Sequence, residues 1–181
     1  MRSPVLLLAL LGAAGCAAAP PSPAPGPDRV LVVDSDGSVV HQSTANENSN
    51  ATFKAPASRV WPALVNAYTT LGILPTTNDR TTGQYGNAGF LAPRRIVGRP
   101  IAAFFSCGSG MTGPRIDNGR VYANMMSIVR DNGAGESTVV THVSASLRTN
   151  DGAANDPIVC ASTGALEELL KKNIQQELDA H

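Results

Sequence analysis

The strongest constraint in this chain is a pair of alternating stretches joined by a short Gly-containing turn. Val121–Val129 and Thr138–Leu147 place apolar or small residues at every second position, and Asp131-Asn132-Gly133-Ala134-Gly135 lies between them. A period of two marks a strand buried on one face, and Asx and Gly residues between two such runs predict an antiparallel hairpin. Pairing Arg130 with Glu136 sets Val121, Ala123, Met125 and Val129 opposite Ala145, Val143, Thr141 and Ser137, with Val139 and Leu147 extending the same side. That side is the expected core. The other side carries Arg120, Tyr122, Asn124, His142 and Ser144, places His142 beside Asn124, and ends in an Arg130–Glu136 salt bridge.

A sheet with one apolar face needs a cover, and two segments have the right pattern. Val60, Trp61, Leu64, Val65, Tyr68 and Leu71 recur at helical spacing after a candidate N-cap at Ser58, with Pro62 in the first turn and Gly72 as the stop. Leu166, Leu169, Leu170, Ile174 and Leu178 form a second stripe within 164–179, capped by Ser162 or Thr163. Its Glu167–Lys171 and Glu168–Lys172 pairs stand at i,i+4. Residues 73–101 are rich in Gly, Thr and Asn and read as two strands with a loop, and Ile101–Cys107 as a compact strand. Arg29–Val33 and Ser38–Gln42 flank Asp34-Ser35-Asp36-Gly37, a hairpin turn rather than a calcium loop, because the closing Glu is missing. The predicted class is α+β: an antiparallel sheet of about five or six strands with two helices on one face.

The N-terminus gives an address. Arg2 precedes the apolar run Val5–Leu11, too short to span a bilayer, and the run ends in Leu11-Gly12-Ala13-Ala14-Gly15-Cys16. This resembles the lipobox of bacterial lipoproteins. The resemblance implies that residues 1–15 are a signal peptide, that Cys16 carries diacylglycerol after cleavage, and that the protein is held to a membrane by its acyl chains. Ala17 rather than Asp follows the cysteine, which implies the outer membrane where the cell has one. Residues 17–28 contain five Pro in twelve positions. Such a segment is an extended tether, reaching on the order of 35 Å. The domain is then 29–181.

With Cys16 acylated, Cys107 and Cys160 remain as an even pair in an oxidising compartment, and a disulfide between them is expected. The element order resembles domains of BamC-like envelope lipoproteins, through the Val60-Trp61 helix start and the Cys160-Ala161-Ser162-Thr163-Gly164 turn into a Leu-rich helix. That resemblance implies a helix-grip-like or TBP-like arrangement, and fold alone does not fix function.

Chemistry is less legible. Gly108-Ser109-Gly110-Met111-Thr112-Gly113 satisfies G-x-G-x-x-G, but Pro114 and Asp117-Asn118-Gly119 follow where a phosphate-binding helix should start, so no nucleotide cofactor is expected. Three scattered His and two distant Cys give no metal-ligand spacing. His142 shares a strand face with Ser144 and Ser146 without a nucleophile elbow, the weak basis of a hydrolase reading. Fourteen basic and fourteen acidic residues cancel, which argues against a nucleic-acid binder. The cancellation hides a polarity. Residues 80–130 hold seven Arg against Asp117, whereas 131–181 hold eight acids against three bases.

Arg94, Arg95 and Arg99 are the tightest basic cluster, a candidate surface for phosphate-bearing lipid or an acidic protein. Trp61, Tyr68 and Phe105 are the candidates for a ligand groove between helix and sheet. The expectation is a non-enzymatic, membrane-anchored envelope lipoprotein whose domain binds or scaffolds an envelope partner. A small-ligand or lipid carrier is the alternative, and a hydrolase the third reading.

Overall fold

In the computed structural model of the chain, residues 29–33, 39–43, 48–111, 113–149 and 157–180 are described, the first two segments and Asn48 by their backbone alone. The leader, Cys16, the Pro-rich tether and the Asp34–Gly37 turn lie outside them. The chain order is β1 (Arg29–Val33), β2 (Val39–Ser43), β3 (Asn48–Phe53), α1 (Ala57–Leu71), β4 (Thr77–Asp79) and β5 (Gln84–Leu91). Five two-residue strands follow: β6 (Arg95–Ile96), β7 (Arg99–Pro100), β8 (Phe105–Ser106), β9 (Ser109–Gly110) and β10 (Gly113–Pro114). The long strands β11 (Gly119–Gly133) and β12 (Glu136–Thr149), then β13 (Ile158–Ser162) and α2 (Ala165–Ala180), complete it.

The class is α+β, with a seven-stranded antiparallel sheet in the order β4-β5-β11-β12-β13-β8. The seventh strand, β3, also pairs with β12. One edge of β12 is thus divided: Ser137 to His142 pair with β3, and Ala145 to Leu147 with β13.

The central hairpin has the predicted faces and a different register. Val121 lies opposite Leu147, Ala123 opposite Ala145, Met125 opposite Val143 and Val129 opposite Val139, a shift of two residues from the expected pairing. The shift is even, so every side chain keeps its face. Its cause is the turn. Pairing runs on through Asp131↔Ser137 to Gly133↔Glu136, with an irregularity between Asp131 and Gly133, and only Ala134 and Gly135 form the loop. Their φ values of 52° and 79° are those of a two-residue type I′ turn. Arg130 therefore faces Thr138 rather than Glu136, and His142 faces Met126 rather than Asn124.

Helix α1 starts earlier than Ser58. Pro56 is the N-cap residue, extended at ψ 155° and without a side-chain cap, and its carbonyl accepts from the Arg59 and Val60 N–H groups. Pro62 consequently sits in the second turn, on the exposed side. Gly72 ends the helix at φ 72°, in the left-handed region. In α2 the Ser162 hydroxyl accepts from the Gly164 N–H and donates to the Glu167 carboxylate at 2.8 Å. Glu167 is thereby buried rather than paired to Lys171, whose partner is Glu168 at 3.8 Å. Ile101–Cys107, expected as a strand, is a 3-10 turn over Ile101–Ala103 followed by β8.

The core lies between the helices and one sheet face. Val60, Leu64 and Tyr68 of α1, Leu166, Leu170 and Ile174 of α2, and Met125, Val139 and Leu147 of the hairpin are almost inaccessible. A short polar chain crosses this core: the Tyr68 and Ser127 hydroxyls are 2.9 Å apart, and Ser127 and Thr141 likewise. Each buried hydroxyl thus has a partner, which removes the cost of stranding it away from water. The Cys107–Cys160 disulfide ties the segment after β8 to β13.

Candidate functional site

At one end of the sheet β5 ends, β11 begins, β12 ends and β13 begins, and the short strands gather there. The Ala92 N–H continues the β5–β11 ladder to the Val121 carbonyl. The chain then makes the β6–β7 hairpin, closed at its base by the Ile101 N–H on the Arg94 carbonyl. After Cys107 it makes the β9–β10 hairpin, closed by the Arg115 N–H on the Gly108 carbonyl. The Arg94 guanidinium donates to the Asp117 carbonyl at 3.1 Å and so joins the bases of the two hairpins.

Where the base of the β6–β7 hairpin meets Ile116 and the start of β11 is a cleft of about 670 Å³. Its lining includes Leu91, Pro93, Arg94, Ile101, Ile116 and Arg120. Gly119 at its edge has no room for a side chain: a Cβ there would come within 2.5 Å of the Arg148 carbonyl oxygen and 2.7 Å of Leu147. The size falls within the range of ordinary ligand clefts. On the sheet face turned away from the helices, Arg120 lies directly opposite Arg148, and Tyr122 opposite Leu91. The Arg148 guanidinium stands over the Tyr122 ring at 5.4 Å. Neither Arg120 nor Arg148 meets a carboxylate among the described residues.

Exposed apolar side chains collect at the same end. Leu91 (54% exposed), Val97 (53%), Met111 (107%), Tyr122 (40%) and Val159 (66%) all belong to it, and only Leu74 among the large exposed hydrophobics described lies elsewhere. Val97 and Met111 sit in the loops of the β6–β7 and β9–β10 hairpins.

The expected cluster Arg94, Arg95 and Arg99 is divided in the structure. Arg94 reaches the cleft, Arg95 donates to the Gly98 carbonyl within its own hairpin at 2.8 Å, and Arg99 stands over the Phe104 ring at 5.0 Å. Arg120 and Arg148 complete the basic end. The outward face of Arg120 was legible from the alternation, but its place beside Arg94 in the cleft depends on β5 pairing with β11, for which no local pattern exists.

Trp61, Tyr68 and Phe105 line none of the clefts found among the described residues. They are buried core rings, and Trp61 and Tyr68 both meet Tyr85 edge to face, at 5.9 and 5.1 Å, so that side chains fill the space between helix and sheet. Burial pushes the Tyr68 hydroxyl well above the usual phenol range, against the opposing effect of its Ser127 hydrogen bond, and raises Tyr85 too. A phenol held neutral in this way is a structural donor. Within the G-x-G-x-x-G stretch, Ser109–Gly110 pairs with Gly113–Pro114 as the β9–β10 hairpin, followed by a 3-10 turn over Arg115–Asn118. His142 has Met126 and Asn48 as its cross-strand neighbours. Among the described residues no three His, Cys, Asp or Glu side chains come together to hold a metal, and no helix is long and apolar enough to cross a membrane.

What this end can do chemically is bind. Guanidinium groups over an apolar wall suit an anionic group attached to an apolar body. Comparison with protein-family models and with curated proteins finds no match to this sequence.

Proposed function

We propose that this chain is an envelope lipoprotein, anchored through acyl chains on Cys16, whose domain is a non-catalytic binding or scaffolding module for an anionic partner. The leader and the Pro-rich tether supply the anchor in this reading, and the outer membrane is its destination where the cell has one. The observation that carries the binding role is that Arg94 and Arg120 line one cleft, with Arg148 directly opposite Arg120 on the neighbouring strand. Like charges directly opposite one another on a sheet cost stability, and an anion between them reverses that cost.

Two measurements test the reading. Mass spectrometry of the N-terminal peptide from membranes should find diacylglycerol on Cys16; an unmodified or absent Cys16 would overturn the anchor. A photo-crosslinking side chain at Tyr122 in cells should capture a lipid or a protein in a manner that Arg120→Gln suppresses, while the same probe at Asn132 should not. Equal capture at both positions would overturn the binding surface.

A further inference from the structure

We infer that the arginine end of the sheet docks on the anionic phospholipid surface of the membrane, with Val97 and Met111 entering the headgroup layer. The inference rests on the proposed binding surface and names its partner.

Charge is the first support. Among the described residues, Arg94, Arg95, Arg99, Arg115, Arg120 and Arg148 stand at this end against Asp117 alone, six positive charges against one negative. An anionic leaflet attracts such a patch, and each arginine brought to it is worth about fivefold in affinity.

The second support is where the apolar residues are. A pocket for a folded acidic protein needs apolar residues at its centre with charge around them. Here two exposed apolar side chains stand in hairpin loops: Met111, the most exposed large hydrophobic described, in the β9–β10 loop, and the half-exposed Val97 in the β6–β7 loop with Arg95 and Arg99 beside it. Apolar tips above a basic collar match a bilayer interface, where the tips meet acyl chains and the guanidinium groups stay among the phosphates.

Val97 supplies the third. The β6–β7 turn has φ 46° at Val97 and φ 73° at Gly98, the type I′ pattern in which Asn-Gly is the favoured pair. A β-branched residue in the left-handed region is strained. Its side chain is half exposed, so packing within the domain does not account for a valine there. An apolar contact outside the domain does.

The test uses the mature, acylated protein reconstituted into vesicles of phosphatidylcholine with or without phosphatidylglycerol. A fluorophore is attached at Met111→Cys or, as the opposite-end control, at Asn132→Cys. Quenching by lipids with a spin label near the headgroup should occur at Met111 only with phosphatidylglycerol, fall at high salt, and weaken about fivefold on each of Arg94→Gln and Arg120→Gln. Asn132 should stay unquenched. Val97→Asn should hold or raise the melting temperature and yet reduce quenching at Met111, which separates docking from folding. Quenching that is absent from Met111, or equal at Met111 and Asn132, or indifferent to phosphatidylglycerol and salt, would overturn the inference. Capture of an acidic protein at Tyr122 in cells, with no quenching at Met111, would overturn the lipid partner and leave the binding surface standing. If Cys16 proves unacylated, the anchor falls separately, and the mature chain added to the same vesicles from solution still decides the docking by the same readout.

Discussion

Along β11, Val121, Ala123, Met125 and Ser127 turn toward the helices and are nearly inaccessible, while Arg120, Tyr122, Asn124 and Met126 turn the other way. The first set is explained by the fold: each side chain is packed against α1 or the strands beside it, or hydrogen-bonded to Tyr68 and Thr141. The second set contains an arginine that lies opposite another, Arg148 of β12, and a half-exposed tyrosine, and the fold gains little from either. Where packing explains the residues, a substitution should read out as stability. Where it does not, the readout should be binding.

The largest effect is expected at the link between the two regions. Replacing Cys107 and Cys160 together by Ser removes a crosslink spanning 53 residues. The chain-entropy relation puts the loss at about 4 kcal/mol, measurable by denaturant unfolding. A loss near zero would mean that the cleft-building segment stays in place without the bridge. Next, Met125→Ala should cost about 3 kcal/mol and Met126→Ala less than about 0.5, although the residues are neighbours. Equal losses would break the contrast between the faces.

Tyr68→Phe comes third, at about 1 kcal/mol near neutral pH, since Ser127 keeps Thr141 as a partner. Its pH dependence is more telling. The folded Tyr68 hydroxyl ionises above its unfolded value, so it favours the folded state fully below the ordinary phenol range, and that contribution is lost as pH rises through the folded value. Alkaline unfolding should therefore shift to higher pH in Tyr68→Phe relative to its own neutral stability. The smallest effect has the opposite sign. Arg120→Glu replaces a like-charge pair with an attractive one across from Arg148 and should add a few tenths of a kcal/mol, while abolishing anion binding. A destabilisation would show that the outer face is structural after all.

The alternation in 121–147 disclosed which residues are buried, because a period of two survives any even slip of register. It did not disclose the register, because Gly133 and Gly135 each allow a turn, and the residue that accepts φ 52° is Ala134, which carries no turn signal. The helices were legible for the same reason as the hairpin faces: their stripes are long. The cleft was not. Strands of two residues between Arg95 and Pro114 are held by pairing partners and capped carbonyls rather than by propensity. Glu167 was misplaced on the solvent side because its spacing to Lys171 suggested an ion pair, whereas Ser162 draws its carboxylate inward.

Once β11 and β12 have paired as far as Gly119↔Thr149, the stretch between Cys107 and Cys160 is no longer one long loop. Only the arms 107–119 and 149–160 remain to be ordered. A hairpin closed by a two-residue turn forms from local contacts, so it can precede the oxidation and deliver the two thiols to each other. In a chain with three cysteines this directs the chemistry, because the hairpin brings Cys107 and Cys160 together. The bond then marks a domain whose central strands are already in register.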